Sequence, residues 1–140
     1  MSATFVLDCS MTIAWAFADE RTDETEEIRK RASREAVCVP AHWFLETCNS
    51  MLSAVRRKRI SEADARLFLA SLKPMQREID AAFIGHSFDR LVDVMIAHGL
   101  TSYDAAYLEI ASRRSLPLAS LDDPLRTAAR ASGITVLGKA

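Results

Sequence analysis

The sequence predicts an α/β protein, a three-layer α/β/α sandwich around a mostly parallel central sheet. Two observations carry this. Short apolar runs, the pattern of strands buried on both faces, alternate along the chain with helical stretches. The first run, Thr4-Phe5-Val6-Leu7, leads straight into Asp8. Strands of this kind sit centrally in open α/β sheets, and ligands collect at their carboxyl ends. Asp8 is therefore expected at the mouth of the sheet.

The remaining elements follow in order. Thr12 to Ala18 reads as a short helix capped by Ser10, with Trp15 and Phe17 as packing residues. Asp19 to Glu35 is highly charged, and Ile28 and Ala32 give it only a narrow apolar stripe, so a solvated surface helix is expected. Ala36 to Val39 is a second strand, ended by Pro40. A long helix is expected from Ala41 to Arg57, with Phe44, Cys48, Met51, Leu52 and Val55 as its buried stripe. Glu46 lies off that stripe, with Asn49 close to the same face. Arg56-Arg57-Lys58-Arg59 closes the helix, where cations suit its C-terminal end.

Ser61 opens a helix whose core face is Leu67, Phe68 and Leu72, with Pro74 beyond its end. Arg77 to Ala81 reads as a short edge strand. Ser87 to His98 is amphipathic through Phe88, Leu91, Val92 and Met95, and Gly99 stops it. Thr101 or Ser102 caps the next helix, Asp104 falls in its first turn, and Tyr103, Ala106, Tyr107, Ile110 and Ala111 trace its core face. Pro117 to Ser120 is a strand ending at Leu121-Asp122-Asp123. A helix from Pro124 to Ala131 then leads through Gly133 to a last strand, Ile134 to Leu137.

Length and composition bound the function. The 140 residues are expected to form one domain, 1–140, with 49% hydrophobic and 26% charged residues as in ordinary globular proteins. A net charge of −1 excludes holding nucleic acid by bulk electrostatics, though not by a local basic rim around an acidic centre. No apolar run approaches the roughly 18 residues that span a membrane. The N-terminus lacks the pattern of a signal peptide, so a cytoplasmic location is expected. Cys9, Cys38 and Cys48, odd in number and without C-x-x-C spacing, read as reduced thiols.

The candidate site is a set of four acids. Each alone has a structural explanation: Asp8, Asp104 and Asp122 as helix-start residues, Glu46 as a surface residue. Together they point elsewhere. Asp8 and Asp122 follow two strands at the same sheet edge, Asp104 begins a helix, and Glu46 lies six residues, roughly 9 Å, beyond Pro40. All four can converge on one cleft. Clustered carboxylates repel unless a hard cation neutralises them, and oxygen-only ligands suit Mg²⁺ or Mn²⁺ rather than zinc. His42, one turn before Glu46, reads as a partly exposed helix-start residue, and Cys9, without a clear histidine partner, as a small buried hydrophobe.

The stretches Val6–Ser10, Phe44–Met51, Gly99–Ala111 and Leu118–Asp123 resemble the PIN domain, and more closely the VapC-like toxins of bacterial type II toxin–antitoxin pairs. The resemblance covers nearly the whole chain, and Leu100 to Ala111 is its most specific part. It places the family's acids on Asp8, Glu46, Asp104 and Asp122, and its supporting polar positions on Ser10, Asn49 and Ser120. Cys9 stands where the family often has Thr or Ser. Asp122 is preferred over Asp123 from the Ser-x-Asp pattern. The resemblance implies a metal-dependent endoribonuclease with Mg²⁺ or Mn²⁺ held by Asp8 and Asp104, while Glu46 and Asp122 ligate or orient water. It also implies an RNA substrate, a cognate antitoxin that blocks the cleft, and a homodimer.

Two other readings fit the residues less well. A phosphoryl-accepting domain using Asp8 lacks the second aspartate, since Ser10 stands there, and a well-placed lysine. A non-catalytic PIN-like interaction module is disfavoured by the presence of all four acids.

Overall fold

The computed structural model describes residues 2–139. The chain runs β1 (Ala3–Leu7), α1 (Cys9–Ala14), α2 (Asp23–Arg34), β2 (Ala36–Pro40), α3 (Trp43–Arg56), α4 (Glu62–Ser71), β3 (Arg77–Asp80), α5 (Phe88–His98), α6 (Ser102–Arg114), β4 (Leu118–Ala119), α7 (Asp123–Ala131) and β5 (Val136–Leu137). The strands form one sheet of order β3-β2-β1-β4-β5, parallel at every pairing. The expected α/β class holds, with a sheet that is wholly rather than mostly parallel.

Strand order explains the layers. The chain winds outward from β1 through β2 to β3, then crosses back to β4 and β5 on the other side. Right-handed crossovers put α1–α4 on one face and α5–α7 on the other. The contacts agree: α6 packs on β1, β2 and β4 between α5 and α7, while α1 touches α2 and α3, and α3 touches α4. Phe5, Val6, Leu7, Val37, Cys38, Leu118 and Ala119 are buried in the main core with α6. A smaller cluster of Phe17, Met51, Ala54 and Ala65 ties α3 to α4.

Several local expectations are corrected. Helix α1 starts at Cys9, so Ser10 lies inside it and is not its cap; residues Ala18–Glu20 form a separate 3₁₀ turn. Pro40 is the last residue of β2 rather than its terminator. Helix α3 buries Trp43, Thr47, Met51 and Ala54, while Phe44 and Leu52 are 42% and 48% exposed. The buried stripe is thus shifted by about one residue. Trp43 donates to Thr12 Oγ1 (3.1 Å) and the Thr47 hydroxyl to the Trp43 carbonyl (2.9 Å), which lets a polar side chain sit on the core face. Leu67, Phe88 and Tyr103, expected in the core, are exposed. Strands β4 and β5 are only two residues each. Thr101 caps α6 by accepting from the Asp104 N–H, and Gly99, at φ 63°, closes α5 as expected.

Arg113 and Arg114 of α6 both pair with acids of edge strand β3, and the more buried group centres on Arg113. Glu109 is 3% exposed, and Arg113 donates to it (Nε to Oε1, 2.7 Å) and to Asp80 at the end of β3 (2.8 Å). Removing the cation leaves a buried carboxylate without its partner. Arg113→Ala is therefore expected to cost about 3 kcal/mol in urea unfolding; a loss below about 1 kcal/mol would show that the pair is effectively solvated.

Candidate active site

The site lies where the winding of the sheet reverses. β1 and β4 are adjacent though far apart in sequence, with Leu7 opposite Ala119, and the Asp8 N–H donates to the Ala119 carbonyl (3.0 Å). In open α/β sheets such a switch point leaves a crevice beyond the strand ends. Asp8 leaves β1 there, and Ser120, Leu121 and Asp122 leave β4 beside it. A cavity of about 390 Å³ opens at this point, and Asp8, Glu46, Asp104 and Asp122 all line it. The fold thus brings the four predicted acids together. Asp123 does not line it; its exposed carboxylate pairs with Lys139 (2.8 Å).

Asp8 is the deepest acid, 4% exposed. It occupies the cap position of α1 but makes no capping bond, so the structural explanation for it falls away. Its Oδ2 instead accepts from Ser10 (2.5 Å) and Ser120 (2.8 Å). Those hydroxyls are themselves placed: Ser10 Oγ accepts from the Leu121 N–H (2.9 Å) and Ser120 Oγ from the Asp122 N–H (3.1 Å). Beneath them Arg126, 1% exposed, donates to the Ser120 carbonyl (2.6 Å) and the Leu137 carbonyl (3.0 Å), fixing the ends of β4 and β5.

The other acids are oriented as well. Glu46, in the first turn of α3, accepts at Oε1 from the Tyr107 hydroxyl (2.6 Å), and His42 Nε2 lies 3.5 Å from the same oxygen. His42, at the cap position of α3, donates to the Tyr103 carbonyl (3.1 Å). Asp122 does cap its helix, taking the Leu125 N–H at Oδ2 (3.0 Å). Asp8, Glu46 and Asp122 are thus each tethered through one oxygen. Among the described residues no hydrogen-bond donor reaches the other.

Electrostatics follow from this crowding. Burial pushes Asp8 up to about 6, the Ser10 and Ser120 bonds hold it down in part, and Asp104 and Glu46 push it further up. Burial raises Glu46, opposed by the Tyr107 bond and assisted by Asp104. Asp104 is raised by burial and by Asp122. Burial raises the Tyr107 phenol as well, and the neighbouring carboxylates keep it protonated as a donor. His42 is lowered, chiefly by burial. Cys9 lines the cavity, but burial pushes its thiol up to about 11, so it is not a thiolate at neutral pH.

A divalent cation fits this donor set. The four acids offer carboxylate oxygens, which suit Mg²⁺ or Mn²⁺. Among the described residues no three acids are gathered tightly enough to cage an ion. Mg²⁺ takes only one or two carboxylates directly and keeps several waters, so an open cleft suits it. Asp8 and Asp104 are the residues that would hold the ion, with Glu46 and Asp122 ligating it or orienting its water.

Ser10 and Ser120, matched earlier by resemblance, sit on Asp8; Asn49 instead lines an adjoining groove. Tyr107 and Arg126 also belong to the site, and sequence pattern alone does not mark them. Tyr107 sits one turn after Asp104 and was readable only as core, and nothing local in sequence points Arg126 at the end of β4.

A PIN domain model matches residues 5–131. Among solved structures, PAE2754 from Pyrobaculum aerophilum superposes with a TM-score of 0.72 at 23% identity, covering 96% of this chain and 83% of that one. That likeness speaks of fold alone. No curated protein matches the sequence significantly. PIN domains are typically nucleases and generally use divalent metals. With a family match running from β1 through α7, the chain belongs to the PIN domain family.

Proposed function

We propose that this protein is a Mg²⁺- or Mn²⁺-dependent endoribonuclease, and the toxin of a type II toxin–antitoxin pair acting in the cytoplasm. The observation that carries the nuclease reading is the shared cavity, in which Asp8, Glu46 and Asp122 are each fixed through one oxygen while the other accepts no hydrogen bond from the described residues. When bound, the cation supplies Lewis acidity and offsets charge on the phosphate under attack. The chain's own part is orientation. Ser10 and Ser120 aim Asp8, Tyr107 aims Glu46, and the α7 cap aims Asp122, so the acids are preorganised before substrate arrives. No nucleophilic side chain is needed, and Cys9 is too protonated to serve as one.

Partners follow from the same reading. An acidic cleft of this kind accepts an arginine in place of a cation, which suits an inhibitory antitoxin segment. The exposed apolar residues Ile84, Phe88, Ile96 and Tyr103, on and around α5, support a homodimer.

Three outcomes are expected. Purified protein should cut RNA with Mg²⁺ or Mn²⁺ and stop in EDTA, and Asp8→Asn, Asp104→Asn and Asp122→Asn should each abolish cutting while Asp123→Asn keeps it. Full activity in chelator would rule out the metal mechanism. Expression of the chain alone should slow bacterial growth, with relief by its partner; unimpeded growth beside active cleavage in vitro would argue for a housekeeping nuclease.

The third concerns stability. Asp8 titrates near 6 when folded and near 3.8 when free. A raised acid is neutral for stability below the free value and costs stability as pH rises from there to the folded value, about 3 kcal/mol in all. In EDTA, Asp8→Asn should match wild type near pH 4, gain on it up to pH 6, and melt higher at pH 7. Mg²⁺ should raise the wild-type midpoint more than the variant's. A gap that does not change with pH, or equal shifts at saturating Mg²⁺, would remove Asp8 from the centre of the site.

A further inference from the structure

The acidic cavity does not end at the acids. A second cavity of about 370 Å³ adjoins it, and Ile13, Glu20 and Ser50 line both. Along α3 the residues Glu46, Asn49, Ser50, Ser53 and Arg57 follow one another at helical spacing. They make a polar stripe about 16 Å long. The trough therefore runs from a carboxylate centre, over an amide and two hydroxyls, to a guanidinium.

The basic end is built rather than incidental. Lys58 adopts φ 61°, a left-handed conformation uncommon for lysine, and this turn lets both Arg57 and Arg59 line the trough. Arg59 is spoken for. Its guanidinium lies 4.0 Å from the Phe17 ring centroid and donates to Asp19 (3.2 Å) and Glu20 (3.3 Å). Glu20 is the one acid shared by both cavities, so Arg59 offsets the charge that would repel an anion there. Arg57 is exposed and, among the described residues, has no carboxylate partner. Arg56, its neighbour, does not line the trough.

We propose that this trough is the track for the substrate strand, and that Arg57 binds a backbone phosphate a few nucleotides from the bond that is cut. This rests on the nuclease reading and deepens it. It gives the strand a direction on the protein, along α3 toward its C-terminal end. Asn49, Ser50 and Ser53 offer neutral donors to sugar and phosphate between the two charged ends. A net charge of −1 then coexists with phosphate binding, because the cation acts locally.

The test is binding of a fluorescein-labelled single-stranded oligoribonucleotide in EDTA, read by anisotropy over a salt series. Arg57→Gln is expected to weaken binding about tenfold and to lower the slope of log Kd on log salt by about 0.7. Arg57→Lys should keep most of the affinity, and Arg56→Gln should stay within about twofold of wild type. With Mg²⁺, Arg57→Gln should raise KM for a long RNA and leave kcat nearly unchanged. Equal losses in Arg56→Gln and Arg57→Gln would overturn the track in favour of diffuse attraction, as would no loss in either, while wild-type cleavage would leave the nuclease reading standing. A wild-type protein that neither binds nor cuts RNA would overturn both.

Discussion

An ionised carboxylate placed at the heart of a hydrophobic sheet is expensive, and the position of Asp8 is where this fold meets that cost. The chain cannot move the acid outward, because β1 is the central strand and its register with β4 sets where the backbone leaves the sheet. It answers with two hydroxyls on one oxygen, each hydroxyl fixed by a backbone N–H of the strand exit beyond β4. Arg126 then locks that exit from beneath. Burial, register and hydrogen bonding are thus a single arrangement. The raised pKa of Asp8 measures how incompletely hydroxyls alone offset the burial. A bound cation would complete the compensation, since it inverts the local preference for the protonated acid.

The same constraint orders the rest of the site. Asp104 and Glu46 come from helices on opposite faces of the sheet, α6 and α3, and meet only because both helices begin at the carboxyl edge of the strands. The Tyr107 hydroxyl reaches from α6 to Glu46 on α3, joining those two faces across the mouth of the cleft. Repulsion among the acids is therefore held in place by packing on both sides, as stored strain commonly is at functional sites.

Much of this was legible in the residues. Short apolar runs with β-branched residues, such as Phe5-Val6-Leu7 and Val37-Cys38-Val39, read as buried strands, and acids directly after strands or at helix starts can be placed without coordinates. The failures have a common cause. On α3 the eye follows Phe44 and Leu52, but the helix rolls so that Thr47 and Ala54 face inward. Thr47 is acceptable there because its hydroxyl donates to the Trp43 carbonyl one turn back, while the Trp43 side chain docks on Thr12 of α1 and fixes the roll of the helix. Tyr103 follows the helical period of the α6 core yet is 59% exposed at the rim. Periodicity reports where apolar residues fall, whereas tertiary partners decide which polar ones can join them. Tyr107 and Arg126 were hidden for the same reason, since their partners lie on other elements.

A four-acid cleft built around Asp8 should bind a divalent cation. The decisive measurement is anomalous scattering from crystals grown with Mn²⁺. A peak is expected in the cleft about 2.1 Å from carboxylate oxygens of Asp8 and Asp104. A cleft without a peak at saturating Mn²⁺, or a peak that neither acid touches, would contradict it.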